Sequence, residues 1–334
     1  MSVRILANIP SPAQGVWHLG PLPLRGYALS ILAGIVLAII WSRRRYAARG
    51  GDPELILDVA IAAIPFGIIG GRLYHVLTDH EKYFGPGRNP WQALNITAGG
   101  LGIWGAVALG TLAGWVVVRR RKVPAAPVLD AVAPTIIAAQ AIGRLGNWFN
   151  QELHGAETTL PWGLEIYERV DALGRLAPVT GHSTGQVLAV VHPTFLYELI
   201  WNLLVAAVLV WADRRFRLGG GRVFALYVAG YTLGRFWIEL MRTDPATEVL
   251  GGLRINTVTS TVVFAAALLA LYLLRGRRRE SAAFVRGRSH DAGADRPLQP
   301  APPPEQAMPE VGDRAGERPG AAGGDRAEAP EAPA

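Results

Sequence analysis

Polar and charged side chains recur at helical spacing inside two apolar stretches of this chain. The first set is spaced by four, three and four positions: Gln140, Arg144, Asn147 and Gln151. The second set lies in a later stretch and is spaced by four, four and three positions: Tyr231, Arg235, Glu239 and Arg242. Such spacing places each set along one face of a helix. Because the planar arginine side chain binds phosphate or carboxylate oxygens in pairs, the two sets predict a site for an anion.

A third set of ionisable residues, Arg72, His75 and Asp79, directly follows the segment GIIGG (67–71), whose glycines allow a neighbouring helix to approach closely. Ionisable groups at membrane depth are costly and usually functional. A purely structural alternative exists, since an ion pair between Arg235 and Glu239 could serve only to hold helices together. Arg72 could also extend to the lipid headgroups. Three arginines at one depth favour a shared polar chamber.

Long apolar runs carry these residues. Half of the 334 residues are hydrophobic and 18% are charged, which favours a membrane protein. Seven runs approach the ~20 residues that cross a ~30 Å hydrocarbon core. They cover about residues 22–42, 55–77, 96–118, 126–149, 193–212, 222–241 and 255–274. The predicted fold class is an all-α polytopic membrane protein with seven transmembrane helices.

Clusters of arginine predict the orientation of these helices. The clusters RRRYAAR (43–49), RRRK (119–122), RRFR (214–217) and RGRRR (275–279) follow the first, third, fifth and seventh runs. The positive-inside rule therefore predicts an external N-terminus and a cytoplasmic C-terminus. With this orientation the polar residues of the runs fall in the outer half of the membrane, so an anion would enter from the external leaflet.

The remaining segments predict two further regions and exclude several classes of function. Residues 1–280 form the predicted catalytic membrane domain, with a small external cap at about 150–192. Residues 281–334 form a disordered cytoplasmic tail, because their Pro, Ala and Gly content leaves little apolar surface to bury. The formal charge of +7 lies in short clusters between apolar runs, which does not predict nucleic acid as a partner. There is no cysteine, and the histidines and carboxylates lack metal-ligand spacing, so we expect no metal and no cofactor.

Five segments of the chain resemble the prolipoprotein diacylglyceryl transferase family. They are LRGYAL (24–29), GGRLYHVL (70–77), GRLGNWFNQELHG (143–155), HPTFLYEL (192–199) and YTLGRFWIELMRTD (231–244). The resemblance covers roughly residues 20–275. It implies an enzyme of the bacterial cell membrane that moves diacylglycerol from phosphatidylglycerol to the lipobox cysteine of a prolipoprotein and releases glycerol phosphate. It also implies a set of site residues: Tyr27, Arg144, Asn147, Glu152, Gly155, Tyr231, Arg235 and Glu239.

We expect these residues to divide the work by their chemistry. Arg144 and Arg235 hold the phosphate and neutralise the charge that develops as it leaves. Glu152 and Glu239 position the arginines. The other predicted site residues bind the lipid or line the chamber: Tyr27, Arg72, Asn147, Gly155 and Tyr231.

One position departs from the family pattern. Where many members carry His or Tyr in a GG-containing segment of the third helix, the segment GGLGIWGAV supplies Trp104, whose indole nitrogen cannot accept a proton. His154 lies just after the GRLGN motif, where relatives can carry Trp. We therefore hypothesise that His154 helps to deprotonate the thiol, the alternative being that it is a polar loop residue.

A transporter or flippase for an anionic lipid is the main alternative function. Alternating access would favour polar residues in both halves of the membrane and an internal repeat. The sequence shows an outward bias of its polar residues and no repeat, which favours the enzyme.

Overall fold

A computed structural model describes residues 8–20, 22–96, 99–244, 248–249 and 252–287. Seven of its helices have 18 or more residues: α1 (Gly26–Ala47), α2 (Glu54–Thr78), α4 (Ile103–Arg120), α5 (Ala125–Gly143), α7 (Thr194–Phe216), α8 (Arg222–Met241) and α9 (Ile255–Leu273). The short helices are α3 (Glu81–Phe84), α6 (Leu145–Asn150), α10 (Ala282–Arg286) and a 3₁₀ helix (Pro90–Leu94). The strands are β1 (Ile9–Pro10), β2 (Val16–Leu19), β3 (Leu22–Arg25), β4 (Leu164–Val170), β5 (His182–Val191), β6 (Glu248–Val249) and β7 (Leu253–Arg254).

Six helical stretches of the described chain are long and apolar enough to cross a membrane, with α5 and α6 together forming one of them. The protein is therefore a multi-pass membrane protein, as predicted. Helix α8 has the 20 residues that a span requires, but Arg235 and Glu239 lower its mean hydropathy. The predicted seventh span thus stays a prediction.

Helix α5 lies at the centre of the bundle. In the stretch formed by α5 and α6, 56% of an 18-residue window is buried, against 17–33% in the other five spans. Helices α1, α7 and α8 pack around it. Its fully buried Ile137 meets Leu209 of α7 and Val223 of α8 in the main apolar core. Side chains at the end of α5 are therefore held in position by three neighbouring helices.

Helices α2 and α4 form a close pair through glycine. A Cβ atom placed on Gly70 would lie 2.2 Å from the carbonyl oxygen of Gly105, so no larger residue fits at this crossing. Gly67 and Gly71 also face α4. The close approach predicted from GIIGG is confirmed, and its tightest contact is at Gly70.

The prediction of an all-α chain needs correction, chiefly at residues 150–192 and also at the short hairpins β2–β3 and β6–β7. Strands β4 and β5 pair antiparallel, and β1 adds in parallel to β4, with Ile9 opposite Leu164. These segments are rich in β-branched residues and too polar to cross a membrane, which favours a small sheet. Arg169 of β4 joins this sheet to α6, because its buried guanidinium donates to the Phe149 carbonyl at 2.9 Å and the Pro178 carbonyl at 3.1 Å. Burial lowers the pKa of Arg169 from its usual value.

A buried charged layer closes the end of the bundle that carries the arginine clusters. The Asp213 carboxylate accepts hydrogen bonds at 2.8 Å from Arg45, Arg49 and Arg279. Asp213 lies in α7, Arg45 and Arg49 lie in and just after the last turn of α1, and Arg279 follows α9. The layer therefore ties the helix ends together on one side of the bundle.

The prediction that the tail starts at residue 281 needs correction, because Ala282–Arg286 form helix α10. Helix α10 packs on the body, with Val285 fully buried in a cluster that includes Tyr46 and Leu55. The Val285 side chain holds this short segment on the body, while the Ala282, Ala283 and Phe284 side chains are exposed. Residues 288–334 of the predicted tail lie outside the described residues.

Candidate active site

Two arginines from different helices meet on one carboxylate. Arg144 follows the last residue of α5, Arg235 lies in the last two turns of α8, and Glu198 lies in the first turns of α7. Arg144 Nε contacts Glu198 Oε2, and Arg235 Nη1 lies 3.3 Å from Glu198 Oε1. The Glu198 side chain is only 8% exposed, so both guanidinium groups are held in place. This brings the two predicted phosphate-binding arginines within a few ångströms of each other.

Both arginines keep donors that no described residue uses. Arg144 contacts Glu198 through Nε and makes a long 3.5 Å contact from Nη1 to Asn147 Oδ1. Arg235 contacts Glu198 and Glu239 through its two Nη atoms. A guanidinium has five N–H groups. Their side chains are 20% and 17% exposed, so the remaining N–H groups can reach a further anion.

Glu239 is the fully buried partner that fixes the second arginine. Its Oε2 lies 2.7 Å from Arg235 Nη2, and its Oε1 accepts from Arg254 Nε at 2.8 Å and from the Asn256 amide at 3.1 Å. Arg242 adds a longer contact at 3.5 Å. A buried carboxylate needs such partners to stay ionised. The predicted positioning role of Glu239 therefore has a structural basis.

Arg242, Asp244 and Arg254 extend this network beyond the end of α8. Arg242 grips Asp244 with two hydrogen bonds of 2.7 Å, and Arg254 reaches the same carboxylate at 3.3 Å. Burial alone would raise the pKa of Asp244, but the hydrogen bonds and charge of Arg242 outweigh it and hold the pKa below its usual value. Four arginines and three carboxylates take part in the ion pairs of this site: Arg144, Arg235, Arg242, Arg254, Glu198, Glu239 and Asp244. The nearby Glu152 carboxylate, which contacts Asn147, makes the numbers of positive and negative groups equal. The unused N–H donors of the arginines, and not an excess of charge, therefore suit the site to an anionic ligand.

A strained turn after α6 places the Glu152 carboxylate. Gln151 and Leu153 both adopt left-handed backbone with φ of 55° and 58°, which costs of order 1–3 kcal/mol each in non-glycine residues. The Gln151 side chain offsets this by pairing with the backbone of Tyr167 in β4 at 2.7 and 3.1 Å. Glu152 then accepts from the Asn147 amide at 3.0 Å. It orients Asn147 directly, whereas no contact from Glu152 to an arginine is present among the described residues.

Tyr27 of α1 packs against α6. A Cβ atom on Gly146 would be 2.6 Å from the Tyr27 ring, so only glycine allows this contact. The Tyr27 hydroxyl is within electrostatic reach of Glu152 and Arg144. The neighbouring Gly143, in contrast, has open space where a Cβ would be. The glycines of the GRLGN segment therefore differ, and only Gly146 is required for packing.

Gly155 joins the end of α8 to the start of α7. Its N–H donates to the His192 carbonyl at 3.0 Å and it pairs with Arg242 as an isolated β-bridge. A Cβ here would lie 2.9 Å from His192 Cβ and from the Met241 carbonyl oxygen. Gly155 thus holds the backbone beside Arg242 and is not placed as a direct contact to a ligand.

Replacement of Gly155 by Ala should lower turnover by about 10-fold to 100-fold, because displacements near 1 Å at a site can have effects of that size. Turnover and melting temperature of the purified protein would check this. Gly143→Ala is the matched control, since its methyl group enters open space. Equal turnover in the two variants would contradict the role assigned to Gly155.

Other predicted residues lie apart from this cluster. Arg72 is buried, and its guanidinium donates hydrogen bonds of 2.7 to 3.0 Å to four backbone carbonyls, those of Ala93, Gly99, Gly100 and Gln92. Its contacts make it an organiser of the segment that precedes α4, and the contacts described here do not connect it with the other arginines. The prediction for Arg72 differs from its contacts because the backbone carbonyls of a loop accept hydrogen bonds from a guanidinium just as phosphate oxygens do.

Of the two helical sets predicted from spacing, only some members reach the cluster of Arg144, Arg235 and Glu198. Gln140 hydrogen-bonds the Tyr227 hydroxyl at 3.2 Å, and Gln151 lies outside the helix, so only Arg144 and Asn147 of the first set reach the cluster. Tyr231 packs beside Tyr227 at the edge of the apolar core, with ring centroids 6.2 Å apart. It lines the interior without a described polar contact to the arginines.

The other histidines of interest lie in separate settings. His75 bridges the Tyr83 hydroxyl at 3.0 Å and the Asp79 carboxylate at 3.1 Å, beside Arg72 and not in the Glu198 cluster. His154 Nδ1 lies 3.2 Å from the Gly155 carbonyl oxygen, and His154 is two residues after Glu152 in the sequence.

Trp104 is 55% exposed at the start of α4. In the part of the chain that the structure covers, no group of three or more His, Asp or Glu side chains could hold a metal ion.

The predicted set omits four residues of this site: Glu198, Asp244, Arg254 and Asn256. Glu198 stands in the segment HPTFLYEL, and its position early in an apolar helix signals a buried carboxylate. Asn256 is likewise a polar residue at the start of a span. The sequence could have indicated these residues by their depth in the membrane, which matches that of the arginines. It could not indicate their partners, because these depend on which helix faces meet.

Comparison with known proteins identifies the family of this chain. Residues 14–273 match the family model described as prolipoprotein diacylglyceryl transferase. A Corynebacterium efficiens protein named phosphatidylglycerol–prolipoprotein diacylglyceryl transferase is 66% identical over 296 residues, which cover 89% of this chain and 91% of the relative. Proteins of the same name from Corynebacterium diphtheriae and Mycobacteroides abscessus are 63% and 56% identical, over 84% and 88% of this chain and 98% and 87% of their own lengths. The chain belongs to the prolipoprotein diacylglyceryl transferase family.

Proposed function

We propose that this protein transfers the diacylglyceryl group of phosphatidylglycerol to the thiol of the lipobox cysteine in prolipoproteins. The names of its relatives supply the two substrates. The observation that supports this most is the meeting of Arg144 and Arg235 on Glu198, with spare N–H groups on both arginines. Those donors suit the phosphodiester of the lipid, which carries one negative charge.

The proposed topology places this site towards the external leaflet of the bacterial cell membrane. Helix α8 serves as the seventh span, and the sheet of β1, β4 and β5 is the external cap. Two observations support this arrangement. The arginine clusters follow α1, α4, α7 and α9, and the Asp213 layer lies at that same end. Glu198 and Asp213 stand 15 residues apart on α7, about 22 Å at 1.5 Å per residue, so the candidate site lies near the opposite end.

The reaction is a displacement at the glycerol carbon that bears the phosphate. The sulfur of the cysteine forms a bond to this carbon, the carbon–oxygen bond breaks, and glycerol phosphate leaves with the bonding electrons. Arg144 and Arg235 face the negative charge as it builds on the leaving oxygen, where fixed donors contribute most. Glu198 and Glu239 hold these arginines, and Asn147 and Tyr27 orient the headgroup.

The thiol must also lose its proton, since only a few per cent of a free thiol with a pKa of ~8.5 is ionised at neutral pH. We assign this step to His154. A carbonyl oxygen can only accept, so its contact with the Gly155 carbonyl is a hydrogen bond when Nδ1 carries the proton. Nε2 then has a free lone pair and can act as the base.

His154→Ala is expected to lower turnover by about 100-fold, the lower range for loss of a general base. A shift in the pH dependence of turnover should accompany the loss, because the step then relies on the thiol's own ionisation. Turnover near the wild-type value with an unchanged pH profile would remove His154 from the mechanism.

The function itself can be tested with phosphatidylglycerol vesicles, purified protein and a synthetic lipobox peptide. Mass spectrometry should show a peptide heavier by one diacylglyceryl group, together with free glycerol phosphate. A peptide with Ser in place of the cysteine is the control. Movement of phosphatidylglycerol between leaflets without a modified peptide would instead identify a lipid transporter.

A further inference from the structure

A groove of about 730 Å³ runs between α1, α5 and α7 towards the end of the bundle that holds Asp213. Its floor is formed in part by Ala138 and Ala206, which are 3% and 4% exposed. Trp41 and Trp211 also line it, and Trp211 is 61% exposed. The volume is within the range of ligand sites, and the lining is mainly apolar.

Small residues explain why this groove exists. Helices α1 and α7 both pack along α5, and alanine at the contact leaves space that a leucine would fill. The groove extends from Leu203 to Arg214, 11 residues along α7 or about 17 Å. Since one leaflet supplies about half of a ~30 Å hydrocarbon core, the groove matches the depth of a single leaflet.

Positive charge marks one end of the groove. Arg214 and Arg215 line it and are exposed, and neither has an ion pair among residues that the structure describes. The adjacent carboxylate of Asp213 is already shared by Arg45, Arg49 and Arg279. Arg215 lies over the Phe216 ring, 5.6 Å from its centroid, which leaves the N–H groups at the guanidinium edge available. Both arginines can therefore bind an anion at the level of the headgroups.

We propose that this groove binds one anionic phospholipid, with an acyl chain along the alanine floor and the phosphate at Arg214 and Arg215. An apolar trough one leaflet deep that ends in two uncompensated arginines has the shape and charge of such a lipid. This lipid is distinct from the substrate. Glu198 and Arg214 are 16 residues apart on α7, about 24 Å, so one headgroup cannot reach both sites.

Native mass spectrometry of the delipidated full-length protein tests the proposal. The protein is titrated with dioleoylphosphatidylglycerol and, separately, with dioleoylphosphatidylcholine. Two variants remove the site in different ways: Arg214→Gln with Arg215→Gln removes the charge, and Ala207→Trp fills the groove. Arg119→Gln with Arg120→Gln is the matched control, since it removes the same charge at the same end of α4.

One phosphatidylglycerol binding event should weaken about tenfold in both test variants, while the events in the control double variant keep their wild-type affinities. A second event, at the substrate site, should persist in all of them. Unchanged binding in both test variants would overturn the proposal, as would equal affinity for phosphatidylcholine or equal weakening in the control. A wild-type dimer that Ala207→Trp converts to monomer would instead identify a second copy of this chain as the occupant.

Discussion

Arg235→Lys should lower turnover by about 100-fold or more although the positive charge is kept. Arg235 reaches Glu198 with one Nη atom and Glu239 with the other, at 3.3 and 2.7 Å, and this leaves Nε to face a ligand. A lysine ammonium is a single point charge that cannot hold two carboxylates on opposite sides and also bind a phosphate. Loss of one fixed donor to a developing oxyanion commonly costs ~100-fold to 1000-fold in rate.

The measurement is turnover with phosphatidylglycerol vesicles and lipobox peptide, at saturating concentrations of both. Arg222→Lys is the matched control, because it lies 13 residues away on the same helix, about 20 Å from the site. Among the residues that the structure describes, its guanidinium hydrogen-bonds the Arg277 carbonyl alone, at 3.2 Å. Wild-type turnover in Arg235→Lys would show that charge alone suffices and that the paired geometry is not needed.

Glu239→Leu should destabilise the protein by about 3–5 kcal/mol, which is typical when one partner of a buried ion pair is removed. Glu239 is fully buried and faces Arg235, Arg242 and Arg254, so its loss leaves three cations without their common counter-charge. The apolar side chain fills the volume but accepts none of their hydrogen bonds. Helices α8 and α9 should therefore separate at this end.

The unfolding free energy of the variant in detergent micelles checks this prediction, together with its yield from membranes. Glu54→Gln serves as the control. Glu54 pairs with Arg43 at an exposed position, where an ion pair contributes only ~0–1 kcal/mol. If both variants lost the same small amount of stability, the Glu239 network would be a minor part of the structure.

Local patterns in the sequence predict the charged face of α8 well. Arg235 and Glu239 are four residues apart in one helix, and their ion pair depends on that spacing alone. Glu198 is different. Its contacts with Arg144 and Arg235 require three helices to meet at one point, and helical periodicity carries no information on which faces of separate helices are adjacent.

The same limit explains the residues that the structure places elsewhere. Arg72 has the depth and chemistry of a lipid ligand, yet the carbonyls of Gln92 and Gly99 lie within 2.7 Å of its guanidinium. Nothing in the sequence distinguishes a guanidinium that holds a loop from one that holds a phosphate. Gln151 falls on the expected helical face, but the helix ends one residue earlier in a left-handed turn.

A structure of the protein with bound phosphatidylglycerol would show whether the two arginines hold the lipid together. We expect the lipid phosphate to lie between Arg144 and Arg235, with oxygens about 2.7–2.9 Å from nitrogens of both guanidinium groups. Glu198 and Glu239 should remain in contact with these arginines. A phosphate that contacts neither arginine, while both stay on Glu198, would rule out this arrangement as the substrate site.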